Sequence, residues 1–280
     1  MKYFLKSKLA LSGGIIVLLI VGASLAAPWI APYSIKEFTP DVLAPPSRSH
    51  LCGTDSFGRD ALSMILCAGI ETLSIAILTL LFSASVGIIW GIAAGFLGGT
   101  VDRILTTIMQ GLMSFPAMMV ALFMMGVFGS IGRMSLVAAI SVTLMPRFAM
   151  ILRGATVPAK SNEYVSAAQA IGASRWRVLW RHVLPNLVTP MVVVCSVNLP
   201  SIILLEASLS FLGFGAPPDA PTWGRIVSEG RQYFRLAPWL VLFPGGVIAT
   251  SVIGFNLFGE GIRDILDPRV RGRLASSSVQ

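Results

Sequence analysis

Six long apolar stretches constrain this chain more than any other feature of its sequence. They cover residues 9–31, 72–97, 104–128, 134–152, 187–205 and 238–259. About 20 consecutive apolar residues suffice for a helix to cross the hydrocarbon core of a bilayer. A transmembrane β-barrel would instead show short segments of alternating hydrophobicity. The sequence therefore predicts an all-α, polytopic membrane protein with six transmembrane helices.

The composition excludes the main alternatives to a membrane protein. Of the 280 residues, 55% are hydrophobic and only 12% are charged, and the mean hydropathy is +0.79. Soluble domains carry about 25% charged residues, so this chain is neither a soluble enzyme, a disordered chain nor a secreted disulfide scaffold. The three cysteines show no metal-ligand or redox spacing. We expect Cys195 to be a packing residue and leave open whether Cys52 and Cys67 pair.

The distribution of basic residues predicts the orientation in the membrane. With a cytoplasmic N-terminus, 13 of the 21 Lys and Arg residues fall in cytoplasmic segments and seven fall outside, with Arg147 inside a span. This asymmetry follows the positive-inside rule, so we expect both termini to be cytoplasmic. The net charge of +8 is then a consequence of topology and implies no nucleic-acid partner.

The first stretch follows Lys2, Lys6 and Lys8, as the apolar core of a signal peptide would. Its length and the five stretches after it favour an uncleaved signal-anchor. The spans hold little charge. Arg147 could reach the membrane surface by snorkelling or could line a polar cavity. We find no Asp, Glu or His deep in a predicted span, which argues against a proton-coupled carrier.

The longest cytoplasmic loop, residues 153–186, predicts two short amphipathic helices. In the first, apolar residues recur at helical spacing, with Ser161 as the cap, Glu163 in the first turn and Gly172 just beyond the end. In the second, Ser174 is the cap and Pro185 marks the boundary. The expected apolar faces are Tyr164, Ala167, Ala168 and Ile171 in the first helix, and Trp176, Leu179, Trp180 and Val183 in the second. Such helices could dock a partner protein or lie on lipid head groups.

The run from Glu163 to Gly172, followed by Leu184 and Pro185, resembles the EAA loop of bacterial ABC importer permeases. In that family this loop forms the coupling helices that contact the ATPase subunits. The resemblance therefore implies a coupling role for Glu163, Ala167, Ala168, Gly172, Leu184 and Pro185. Two residues depart from the family pattern: Ser166 stands where glutamate is common, and His182 where isoleucine is common.

Further motifs resemble the C-type permease of the dipeptide, oligopeptide and nickel branch. They are a GTDxxGRD signature, an SFLG segment at 209–213 followed by TWG, an FNL triplet and an RDILDPR ending. The residues that carry this signature are Gly53, Thr54, Asp55, Gly58, Arg59, Asp60, Trp223, Gly224, Asn256, Arg263, Asp264, Asp267 and Pro268. Glu71 and Glu260 depart from the usual residues. The resemblance covers about residues 45–270.

The resemblance implies a type I ABC importer permease fold with three parts. Residues 1–69 would form the first transmembrane helix and an external loop, 70–260 the permease domain with its coupling loop at 161–186, and 261–280 a cytoplasmic tail. Docking of a binding protein would involve the outer loops, 32–69 and 206–237. Candidate charged contacts there are Asp219, Arg225, Glu229, Arg231 and Arg235.

The implied partners are a homologous B-type permease, two ATP-binding subunits, an extracytoplasmic substrate-binding protein and the lipid bilayer of the bacterial cytoplasmic (inner) membrane. The chain has no GxxxxGK[ST] phosphate-binding loop, so we expect ATP and Mg²⁺ on the partner subunits and no cofactor, metal site or catalytic residue here. We expect a permease for di- and oligopeptides, with nickel or a metal chelate as the alternative cargo. An intramembrane enzyme and a non-transporting receptor are competing classes that fit the motifs less well.

Overall fold

The computed structural model describes residues 7–129, 132–215 and 220–266. Within these ranges the chain is helical and forms no β-strand beyond an isolated bridge between Thr54 and Asp60. The α-helices are α1 (Lys8–Ile30), α2 (Ala61–Leu97), α3 (Gly99–Met113), α4 (Ala117–Phe128), α5 (Arg133–Lys160), α6 (Glu163–Ala170), α7 (Arg175–Val178), α8 (Leu184–Leu209), α9 (Trp223–Gly230) and α10 (Trp239–Leu266). A π-helical turn, Leu179–Val183, joins α7 to α8.

We call the end of the bundle that carries residues 31–60 the upper end, and the end that carries residues 161–178 the lower end. Four single helices are long and apolar enough to cross a membrane: α1, α2, α5 and α10. So is the continuous segment Arg175–Phe214, which contains α8. The all-α class predicted from the sequence is confirmed.

The third predicted span, 104–128, is not one continuous helix. It consists of α3 and α4, which are bent by 95° relative to each other. Pro116 begins α4 in a non-helical conformation, and Ser114 ends α3. Proline has no N–H to donate and disfavours a helical conformation in the residue before it, so the helix breaks where the hydropathy profile shows no gap.

The other helices extend beyond the predicted spans. α2 begins at Ala61 instead of residue 72, and α5 runs to Lys160 instead of residue 152. The length of an apolar stretch in the sequence reflects the thickness of the bilayer, whereas local hydrogen bonds determine the residue at which a helix ends. The Asp60 carboxylate caps α2 by accepting from the Ser63 N–H at 2.8 Å. The Lys160 ammonium donates to the Phe96 carbonyl at 2.7 Å, near the last turn of α2.

A glycine stripe brings α2 and α5 into close contact. Gly87, Gly91 and Gly95 lie at four-residue spacing on one face of α2. A Cβ on Gly87 would stand 2.6 Å from the Phe148 Cβ, and one on Gly95 would stand 2.7 Å from the Thr156 Cβ. Small residues at such spacing let transmembrane helices approach until their backbones touch.

α1 and α10 form a second close pair. A Cβ on Gly13 of α1 would overlap the backbone of α10 at Phe258, and a Cβ on Gly261 of α10 would overlap Ala10. The two helices are antiparallel, so Lys8 and Leu266 both lie at the lower end. α8 packs against both pairs and contacts α2, α5 and α10.

We expect Gly91→Ala to destabilise the protein and Gly154→Ala to be harmless. The new Cβ on Gly91 would overlap the Ala149 carbonyl oxygen, whereas nothing lies within 4 Å of one on Gly154 of α5. Overpacking of this kind costs about 1–3 kcal/mol, while Gly→Ala in an unhindered helix is favourable by up to about 1 kcal/mol. Thermal unfolding of the purified variants in detergent measures the difference. Equal midpoints for the two variants would contradict the close contact.

Candidate functional site

The lower loop, residues 161–183, begins with α6 as the sequence predicts, but its cap differs. Glu163 occupies the first turn, and Asn162 is the residue before it. Ser161, the predicted cap, instead donates its hydroxyl to the Val157 carbonyl at 3.1 Å. α5 ends only at Lys160, so Ser161 still belongs to the last turn of that helix and its hydroxyl is taken up there.

Gly172 ends α6 in the way its position predicts. Its φ is +86°, a conformation that glycine adopts without strain. The Gly172 N–H donates to the Gln169 carbonyl, and the Ala173 N–H donates to the Ala168 carbonyl, both at 3.0 Å. These two bonds form a Schellman motif. The chain therefore reverses tightly between α6 and α7.

The residues of the predicted apolar face of α6 do not share one environment. Ala168 is buried together with Val165, which the prediction omitted. Tyr164, Ala167 and Ile171 are exposed, and Ile171 is 88% exposed. Val165 and Ala168 are three residues apart and therefore lie on the same face of this helix. The helix has only about two turns, so these two residues make up its contact with the core. The loop thus keeps an exposed apolar surface, formed by Tyr164, Ala167 and Ile171.

The second predicted helix has the expected cap and an unexpected continuation. Ser174 accepts the Arg177 N–H at 3.3 Å. The helix does not end at Pro185: the π-helical turn carries it into α8, with the Leu184 N–H donating to the Leu179 carbonyl. Pro185 lies just after this turn, inside the continuous helix, where a proline removes one helical hydrogen bond; the π-helical turn occurs at this point. α7 and α8 therefore form one continuous helical segment.

The second predicted apolar face is also divided. Leu179 and Val183 are buried in the main core, whereas Trp176 and Trp180 are exposed. Arg175, Arg177 and Arg181 flank them and are exposed as well. Tyr164 of α6 is tied to α8, because its hydroxyl accepts from the Asn186 amide at 2.9 Å. The lower loop is consequently anchored to α8 at both of its helices.

The GTDxxGRD residues fold the loop before α2 by binding one another. The Asp55 carboxylate accepts the Phe57 and Arg59 N–H groups at 2.8 Å and contacts the Arg59 Nε at 2.6 Å. Arg59 also reaches Glu229 of α9 at 3.5 Å. Asp60, besides capping α2, contacts the His50 ring at 3.0 Å, and both side chains are buried.

The two signature glycines and Thr54 complete this structure. Gly53 and Gly58 have φ values of +74° and +76°, and a Cβ on either would overlap a neighbouring segment. Thr54 donates its hydroxyl to the Asp41 carbonyl and accepts the Ala44 N–H at 2.9 Å. We call residues 39–60 the upper clasp. Its signature residues are accounted for by the folding of the loop itself.

The SFLG and TWG motifs lie against each other at the upper end. Trp223 is 1% exposed and donates its indole N–H to the Ile65 carbonyl at 2.9 Å. A Cβ on Gly224 would stand 2.6 Å from the Ala207 Cα. Ser210 donates to Glu206 at 2.7 Å. The motifs therefore join α8 to α9 and α2.

Glu206 corrects the sequence interpretation of the spans. We placed it at the start of an outer loop, but it lies inside α8 and is fully buried, with no hydrogen-bond partner for its Oε2 among the described residues. Glu71, also assigned to the outside, lies within α2 and contacts Arg133 at 3.4 Å. The helical bundle therefore does contain acidic side chains, which the apolar windows alone could not reveal.

The remaining signature residues do not join either loop. Asn256, Arg263 and Asp264 lie on α10, whereas Asp267, Pro268 and Asp219 fall outside the described residues. All three cysteines are free thiols, so Cys52 and Cys67 are not paired. Burial and the nearby Asp60 raise the pKa of the Cys52 thiol. In the described part of the chain, no three His, Cys, Asp or Glu side chains form a group that could hold a metal ion.

Solved structures share this fold. The chain resembles the MetNI methionine ABC transporter in two inward-facing crystal forms, with TM-scores of 0.57 and 0.61. The alignments cover 73% and 74% of this chain and 96% and 97% of the other chain, at 18% and 17% sequence identity. At this identity the likeness shows the fold alone. It agrees with the type I permease fold expected from the sequence.

Sequence relatives cover nearly the whole chain. A glutathione transport system permease protein of Pectobacterium atrosepticum is 37% identical over 270 residues, 96% of this chain and 89% of that protein. A putative peptide transport system permease protein of Brucella suis is 38% identical over 262 residues, 92% of this chain and 87% of that protein.

Two family models account for most of the sequence. Residues 1–46 match the N-terminal transmembrane domain of oligopeptide transport permease C. Residues 87–272 match the binding-protein-dependent transport system inner membrane component. That match spans α3 to α10 and includes the lower loop. The chain therefore belongs to the family of inner membrane permease components of binding-protein-dependent transport systems.

Proposed function

We propose that this chain is one of two permease subunits of an ATP-driven importer that carries small peptides across the bacterial cytoplasmic membrane. The observation that carries this proposal is the lower loop. Its exposed apolar surface on α6 is connected by the Gly172 turn to α7, and α7 continues without a break into α8, a helix of membrane-spanning length. A partner that moves the loop would therefore move a helix of the transmembrane bundle directly.

The partner at the lower loop is an ATPase subunit. A contiguous exposed apolar surface marks an interaction site, and Tyr164, Ala167 and Ile171 provide one at the end of the bundle. Three exposed arginines, Arg175, Arg177 and Arg181, add positive charge around it. This chain has no phosphate-binding loop of its own, so ATP and Mg²⁺ bind to two such subunits, and their closure drives the change of state.

Three further components complete the transporter. A homologous B-type permease supplies the second half of the pathway, and the lipid bilayer surrounds both. A substrate-binding protein docks at the upper end. Of the charged residues considered for that contact, Arg225 and Glu229 pair with each other at 2.8 Å. Arg231 lies over the Phe211 ring, and Arg235 is exposed. The last two remain the better candidates for docking.

Peptides are the proposed cargo. Two relatives that cover more than 90% of this chain are named for glutathione and peptide transport, and the chain begins with a segment typical of oligopeptide permeases. Nickel or a metal chelate is the alternative. For nickel, imidazole or carboxylate ligands would be expected near the path, and the described residues form no such group.

We expect the associated binding protein to bind short peptides and the reconstituted transporter to import them. The test is uptake of a labelled peptide into proteoliposomes that hold both permeases and both ATPases, with ATP inside. Omission of the binding protein is the control. Submicromolar affinity of the binding protein for free or chelated nickel, without measurable peptide binding, would overturn the cargo assignment and leave the permease assignment intact.

We expect Ala167→Trp to abolish uptake by blocking the ATPase contact. Ala167 is the sharper probe because it is exposed, whereas Ala168 packs inward and a tryptophan there would also disturb α6. The matched control is Leu18→Trp on the exposed face of α1. Copurification of the ATPase subunits and ATP-driven uptake are measured for both variants. Normal copurification and uptake with Ala167→Trp would refute the docking site.

We expect the lower end of the bundle to face the cytoplasm, with Lys2 and Arg269 on that side and Asp55 and Trp223 outside. The excess of Lys and Arg at the lower end motivates this orientation. Single cysteines are introduced at Lys2, Asp55 and Arg269, but not at the buried Trp223, after the three native cysteines are replaced, and sealed vesicles are treated with an impermeant maleimide. Labelling of Asp55→Cys only from the cytoplasmic face would reverse the orientation.

A further inference from the structure

Arg147, the single charge inside a predicted span, lies in a groove at the lower half of the bundle. The groove has a volume of about 470 Å³ and is formed by α5, α8 and α10. Arg147 of α5 and Arg263 of α10 line it together with Thr189 and Asn198 of α8. Small-molecule sites have volumes of about 300–1,000 Å³. Of the two roles open to Arg147, the structure favours lining a polar cavity over snorkelling alone.

The groove extends from the lower end into the bundle. Thr189 and Asn198 are nine residues apart on α8, which corresponds to about 13 Å along the helix. Leu266 lines the groove at the lower end of α10. Arg147 lies six residues before Arg153, whose guanidinium pairs with Asp102 at 2.7 Å. This places Arg147 about 9 Å deeper along α5 than that ion pair.

The two arginines lack counter-charges in the described part of the chain. Neither Arg147 nor Arg263 makes an ion pair or side-chain hydrogen bond there, and both are exposed. No Asp, Glu or His among the described residues lines the groove. Two guanidinium groups facing one cleft favour an anion, and the planar guanidinium matches a carboxylate with two parallel hydrogen bonds.

Asn198 also lines the groove, and its side-chain oxygen is a buried acceptor without a partner among the described residues. Its side chain is almost fully buried, and its Nδ2 donates to the Val194 carbonyl at 2.7 Å. Its Oδ1 has no hydrogen-bond partner among the described residues. A buried acceptor without a partner is costly, so a state of the protein in which an N–H reaches it is favoured.

We propose that this groove is a carboxylate-binding subsite for the peptide cargo on the lower half of the transport path. Arg147 and Arg263 receive the carboxylate of the peptide, and in a state of the protein that uncovers it, the Asn198 oxygen accepts a peptide N–H. The donor and acceptor set fits a ligand that carries both groups, and it offers a nickel ion no imidazole, thiolate or carboxylate ligand. This inference rests on the proposed function, because a peptide reaches the groove only if the chain transports it.

The groove suits transport because it binds weakly. Neither arginine is buried, and an exposed guanidinium–carboxylate contact contributes little. A transport path must bind its cargo well enough to admit it and weakly enough to release it. The volume of the groove and the largely apolar α8 residues between Thr189 and Asn198 let the rest of the peptide pass without specific contacts.

The test compares a short peptide with its C-terminally amidated form in the reconstituted complex. Affinities of the binding protein for both forms are measured first, and uptake is followed with that protein saturated. We expect Arg147→Gln to slow uptake of the free-carboxylate peptide by about fivefold and to leave the amidated peptide within about twofold of wild type. Arg147→Lys should retain part of the rate because it keeps the charge.

The control variant is Arg103→Gln, an exposed arginine of α3 that does not line the groove. ATPase stimulation by the loaded binding protein is recorded for every variant to show that coupling is intact. Equal slowing of both peptides, or no slowing of either, would overturn the subsite. Absence of uptake of either peptide by the wild-type complex would instead overturn the proposed function, so the two failures are distinguishable.

Discussion

The close contact between α2 and α5 is the constraint on which the rest of the bundle depends. Gly87, Gly91 and Gly95 allow the two backbones to touch along about two turns. In a membrane, packing of this kind replaces the hydrophobic driving force that is absent among lipid tails. The pair reaches from the upper clasp, which caps α2 through Asp60, to the lower end, where Lys160 binds the last turn of α2. Both candidate interaction regions are therefore mounted on one rigid element.

The lower loop joins this rigid pair to the helix that we propose to move. α6 follows α5 after two residues, and Ala168 and Val165 of α6 belong to the main core. α7 continues through the π-helical turn into α8. A partner that displaces the exposed residues of α6 therefore meets resistance from α5, to which α6 is joined. The same displacement is passed through α7 to α8. Interfaces and cores of this kind shift between discrete arrangements rather than deform continuously.

Local rules predicted those features of the loop that depend on neighbours in sequence. Gly172 and Ser174 occupy the predicted helix ends because a Schellman turn and an N-cap need only a few adjacent residues. Three of the prolines show where such local rules fail. Pro116 breaks a span, Pro185 follows a π-helical turn inside a continuous helix, and Pro146 lies inside α5. The outcome depends on whether the carbonyl four residues earlier finds another partner, which is a property of the surrounding helices.

The positions of the charged residues likewise show which features follow from the local sequence and which follow from the packing of the helices. Apolar windows located the spans but assigned Glu206 to an outer loop, because the buried network with Ser210 forms only when α8 extends past its apolar stretch to meet α9. Arg147 was recognised as the charge within a span, yet the sequence left its role open. Arg263 and Asn198 are more than 50 residues from it in the chain and come together with it only through the packing of α5, α8 and α10. The chemistry of the groove is therefore a property of the helix arrangement and not of any local sequence pattern.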